Sequence, residues 1–134
     1  TNRTSPRVST RVVHFRDFTR HDSPRMWFSE RPTDDMGHGT HVAGIIAGSG
    51  FDSDGRRTGI APRANLIALK VLDAQGHGFV SDVIDAIDYA IAVRATYNIR
   101  VINLSVASGV FESYATDQLA QAAKRAVEKI GAGS

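Results

Sequence analysis

The apolar and polar positions divide the chain into a short set of elements. Arg11-Val12-Val13-His14-Phe15 fits a short strand. Asn65 to Leu72 is a near-continuous apolar run, which suits a strand buried on both faces of a parallel sheet. Arg100 to Val106 is the next strand candidate. Between these two strands, Val83, Ile84, Ile87, Ala90 and Ile91 recur at helical spacing, with Asp82, Asp85 and Asp88 on the other side. Ser81 is the expected N-cap of that helix, and Asp82 suits its positive start. Asp117 to Ile130 reads as a second amphipathic helix, stopped by Gly131. Upstream, His38, His41 and Ile45 share one helical face. Gly39, Gly44 and Gly48 on that stretch are poor helix formers whose return is close backbone approach to a neighbour. Residues 1–10 read as a polar arm, 20–37 as a long loop with Pro24 and Pro32, 49–59 as a surface loop and 131–134 as a tail.

Strand, helix, strand, helix in that order predicts an α/β fold with parallel strands and right-handed crossovers. Ligands in such sheets bind beyond the carboxyl ends of the strands. A site is therefore expected near the loop after Leu72, near Ser105-Val106-Ala107, and near the start of the His38 helix.

Composition narrows the class. The chain has 134 residues, enough for one domain or part of one, with 42% apolar and 22% charged residues, which disfavours disorder. No apolar run is long enough to span a membrane, so no membrane partner is expected. With no cysteine, disulfide scaffolds and thiol chemistry are excluded. The chain starts at Thr1 without signal peptide or lipidation motif, and reads as a processed or excised start. The net charge of +2 hides an asymmetry: residues 1–31 hold seven Arg against Asp17, Asp22 and Glu30. A nucleic-acid binder would cluster more charge among aromatics, so the basic segment reads as a solvated arm without a nucleic-acid partner.

The densest chemistry is Asp35-Met36-Gly37-His38-Gly39-Thr40-His41-Val42-Ala43-Gly44. His38 and His41 at this spacing could form half of a metal site. No Glu accompanies them as in the zinc-protease motif, and no third ligand is evident by spacing. Taken whole, the segment resembles the histidine motif of the subtilisin-like serine proteases, the subtilases of peptidase family S8. Gly59-Ile60-Ala61-Pro62-Arg63-Ala64, Lys70 to Gly78, and Val101-Ile102-Asn103-Leu104-Ser105 are similar to later segments of that family, in the same order.

The resemblance implies a subtilisin-like three-layer fold with a parallel sheet, present only in part, with residues 1–134 forming a partial peptidase domain. It also implies peptide-bond hydrolysis by a Ser-His-Asp triad, with His38 as general base and acid at the first turn of a helix. His41 would be a packed, structural histidine. Substrate would add as a strand between Ser105-Val106-Ala107 on one edge and Gly76 and Gly78 on the other, with Val80 near a remoter subsite. Ala107 stands where the family usually has Gly. Some members of the family bind calcium after this helix. Asp52-Ser53-Asp54-Gly55 offers two carboxylates for that ion, with a solvated turn as the alternative. Asp34 and Asp35 read as turn or cap residues rather than acid catalysts.

Three family segments are absent. Asp22-Ser23-Pro24 has Pro where the aspartate motif has Gly and follows no clean apolar strand. No Gly-Thr-Ser nucleophile segment occurs, nor the Ala-Ala-Gly-Asn segment that helps stabilise the oxyanion. The expectation is a truncated piece of a serine endopeptidase, inactive alone, that associates with its missing segments or with itself. The alternative is a non-catalytic pseudoprotease that binds peptides or partners. By family resemblance the parent would be secreted.

Overall fold

A computed structural model of the chain describes residues 11–19, 32–106 and 113–131. The expected arm at 1–10, most of the 20–37 loop, Asp22-Ser23-Pro24, Ala107 and residues 132–134 lie outside the described residues. The elements are β1 (Val12–Asp17), α1 (His38–Ala47), a single 3-10 turn (Phe51–Ser53), β2 (Leu66–Lys70), α2 (Val80–Ala92), α3 (Arg94–Tyr97) and α4 (Ser113–Gly131). β1 and β2 pair in parallel, so the described residues form a partial α/β fold. The chain divides into two compact units, Thr1–Gly76 and His77–Ser134.

In the first unit the ladder runs Val12↔Leu66, His14↔Ile67, Phe15↔Ala68, Arg16↔Leu69 and Asp17↔Lys70. Val13 is skipped, a bulge of the kind rarely found in parallel pairs. β2 is half-buried along its length rather than buried on both faces, because it has one ladder partner among the described residues. The core here is small: Phe15, Ala47 and Val71 are buried. Buried Asp17 closes the end of β1, its Oδ1 accepting hydrogen bonds from the Thr19 N–H and hydroxyl.

The C-terminal end of α1 shows why its flanking sequence is what it is. The last carbonyls of a helix have no partner within it. Here Gly48 N–H donates to Gly44 O, Ile60 N–H to Ile45 O at 3.0 Å, Ala61 N–H to Ile46 O at 2.7 Å, and Gly59 N–H to Gly48 O at 2.8 Å. The Arg11 guanidinium donates to Ala47 O and, at 2.6 Å, to Ala64 O. Every terminal carbonyl from Gly44 to Gly48 is thereby satisfied. A Cβ at residue 59 would lie 2.6 Å from the backbone nitrogens of Ala47 and Gly48, so only glycine permits this approach.

In the second unit α2 buries Val83, Ala86, Ile87 and Ala90, one stripe at helical spacing. α4 contributes buried Ala122 and Ile130. The two helices pack on each other, and Arg125 donates to Asp88 across them at 3.0 Å. Three expectations change. Phe79, not Ser81, is the N-cap of α2, in extended conformation, which puts Ser81 inside the first turn. Asp82 is buried rather than on the solvent side, and it is not left without a partner. Residues 101–106 form no strand, because a strand exists only as part of a ladder and none reaches this segment among the described residues.

Candidate active site

His38 is the first residue of α1 and is exposed. Gly37 before it is the N-cap, with φ 88° in the left-handed region, and it offers no side chain to the helix. The first turn also contains no acid of its own. Asp34 supplies both functions from outside the helix. Its Oδ1 accepts from the N–H of Gly37 at 2.8 Å and of Met36 at 3.2 Å. Its Oδ2 accepts from the Thr40 N–H at 2.7 Å and the Thr40 hydroxyl at 2.6 Å. A carboxylate at this place satisfies an orphan N–H and favours the positive helix end. The Thr40 hydroxyl foremost, together with the three backbone N–H groups, lowers the Asp34 pKa from 3.8 to about 2, against the opposing effect of burial.

The two residues after Asp34 tie the same segment to the rest of its unit. Asp35 accepts a hydrogen bond from Lys70 Nζ at the end of β2, an ion pair in which the lysine is the less exposed partner. Met36 lies against the loop after β2. A Cβ at residue 76 would meet Met36 Sδ at 2.9 Å, the far end of a flexible side chain that can yield, so it is the φ of 78° at Gly76 that favours glycine. That loop is a tight turn in which Gly76 N–H donates to Asp73 O and Gln75 N–H to Asp73 Oδ1. His38 and Gly76, two of the residues singled out by sequence, thus belong to one unit and are joined through Met36. Asp34 and Asp35 act as turn residues. Lys70 as the partner of Asp35 was not foreseen, since nothing local marks a contact across so many intervening residues.

Gly78, Ser105 and Val106 belong to the second unit, with Gly78 and Ser105 exposed and Val106 half-buried. Asn103 Nδ2 donates to Ser105 Oγ at 2.9 Å. Ala107, the remaining residue of that expected edge, lies outside the described residues. His41 is exposed rather than packed, because no described element covers its face of α1. Around Asp52 and Asp54, Ser53 Oγ donates to Gly50 O and accepts from the Arg57 N–H, so the loop closes on itself. Among the described residues, no group of three or more His, Asp or Glu side chains is placed to hold a metal ion.

Comparison with known proteins gives a consistent result. The model of the Subtilase family matches residues 3–134. The serine protease AprX of Bacillus subtilis strain 168 is 41% identical over 86 residues, which is 64% of this chain and 18% of that protein. A thermophilic serine proteinase of Bacillus sp. strain AK1 is 38% identical over 103 residues, 77% of this chain and 23% of its own length. A cell wall-associated protease of Bacillus subtilis strain 168 is 45% identical over 76 residues, 57% of this chain and 8% of its own. The chain therefore spans less than a quarter of each of these relatives.

Proposed function

Because the chain belongs to the subtilase family, we propose that it carries the histidine of a serine endopeptidase, the serine and aspartate of the triad coming from sequence outside these 134 residues. A serine hydroxyl is a weak nucleophile. It needs a base to take its proton as it attacks the scissile carbonyl, and the same group must then protonate the leaving amine. His38 performs both steps. A carboxylate from elsewhere fixes the imidazole tautomer and stabilises the imidazolium. The observation that carries this reading is the exposed imidazole at the first residue of α1, inside the histidine motif and on a turn closed by Asp34.

Polypeptide substrate pairs as an added strand, with Ser105, Val106 and Ala107 as one edge and Gly76 and Gly78 as the other. In support of the Gly76 part of this reading, Gly76 adjoins Met36, two residues before His38. No described helix is long and apolar enough to cross a membrane. With one relative named for the cell wall, we place the parent enzyme outside the cell. Alone, the chain is inactive and associates with the missing segments or with itself. Ile60 and Val101 are 90% and 82% exposed, which leaves apolar surface for such contacts.

The test is kinetic, in the protease that contains these residues. His38→Ala is expected to lower kcat by about 10⁴-fold or more, whereas His41→Ala costs less than about tenfold. A His38→Ala enzyme with near-normal kcat refutes the assignment. A complete protein that binds peptides without cleaving them, with or without His38, supports a non-catalytic module instead.

A further inference from the structure

We propose that Asp34 is a positioning residue for His38, holding the backbone on both sides of the histidine with one carboxylate. The proposal rests on His38 being the general base. An ordinary helix cap uses one side-chain oxygen on one N–H of the first turn. Asp34 uses both oxygens on four donors: Met36 N–H and Gly37 N–H before the histidine, and Thr40 N–H and Oγ1 after it. The chain from 34 to 40 is thereby closed into a ring on which His38 sits. Asp35, next in sequence, anchors that ring to Lys70 at the end of β2.

This arrangement matters because of what His38 lacks. Its side chain is exposed, and no packed wall fixes it among the described residues. Gly37 and Gly39 flank it, the residues least able to hold a backbone by themselves. The position of the imidazole is therefore inherited from the ring. A general base works only within hydrogen-bond reach of the proton it takes. Displacement by about 1 Å costs on the order of 10²-fold in rate. Releasing the ring leaves the chemistry of the imidazole intact and moves its origin.

The experiment uses the protease that carries this segment together with its serine and aspartate. Competent sites are counted by titration with a fluorophosphonate, and kcat and KM for a peptide substrate are expressed per competent site. Asp34→Ala is expected to lower kcat per site by about 10- to 100-fold, with KM within about twofold of the parent. Thr40→Val removes one of the four bonds and lowers kcat by about three- to tenfold, while Thr40→Ser restores it to within about twofold. If Asp34→Ala does not fold, the threonine pair decides alone. Unchanged kcat per site in Asp34→Ala and Thr40→Val, whatever the number of sites or the melting temperature, overturns the proposal. His38→Ala is run beside them, its rate expressed per mole of folded protein: retained kcat there overturns the general-base reading, and the proposal with it. A large loss in His38→Ala with none in Asp34→Ala overturns the positioning role alone.

Discussion

At the scale of single residues, the carboxylate of Asp34 is the most heavily used group near His38. Its pKa is lowered to about 2, so the folded state binds its proton less readily than the unfolded chain does. The stabilisation is therefore complete above the ordinary value of 3.8 and is lost as pH falls through about 2. Much of the effect is screened, because the group faces water. Protection of the Thr40 amide against hydrogen exchange is expected to fall over that window and to be low at every pH in Asp34→Ala. Equal protection at about pH 5 and below about pH 2 would contradict this. The motif around His38 was legible because its glycines, histidines and threonine are contiguous in sequence. Lys70, the partner of Asp35, was not, because the contact exists only once β2 and the His38 turn are brought together.

At the scale of elements, each helix end and each stripe has a distinguishable energetic role. Gly59→Ala drives a methyl into the backbone at Ala47 and Gly48, where no flexible side chain can yield. Urea unfolding is expected to show a loss of about 1–3 kcal/mol, and no loss would mean the approach is looser than the structure gives. On α2, Ile87→Ala removes a buried side chain and is expected to cost about 2–5 kcal/mol. Arg125→Ala breaks the exposed pair with Asp88 and is expected to cost under about 1 kcal/mol, less in high salt. The reverse ranking would mean that the helices are joined by charge rather than by their apolar stripes. The stripe on α2 was readable because helical spacing repeats over three turns. The burial of Asp82 was not, since the same periodicity placed it among the solvent-facing acids. The strand expected at 100–106 is not formed for another reason: the residues of one segment say nothing about whether a second strand stands beside it.

At the scale of the whole molecule, the chain spans less than a quarter of each of these relatives, and on the proposed function it carries one member of a three-residue catalytic group. The proposed function also expects association with segments outside these residues, or self-association, for which exposed Ile60 and Val101 offer apolar surface. Sedimentation is expected to show species larger than one chain of 14.5 kDa, and a sharp monomer that binds no apolar dye would count against it. On the proposed function the nucleophile lies outside these residues and His38 activates it. Covalent labelling with a fluorophosphonate probe, read by intact mass, tests this most directly. The expected result is no labelling of the chain alone, labelling of the supplied serine once the aspartate and serine segments are added, and loss of that labelling in His38→Ala. Labelling of any serine within the 134 residues, or undiminished labelling in His38→Ala, would contradict it.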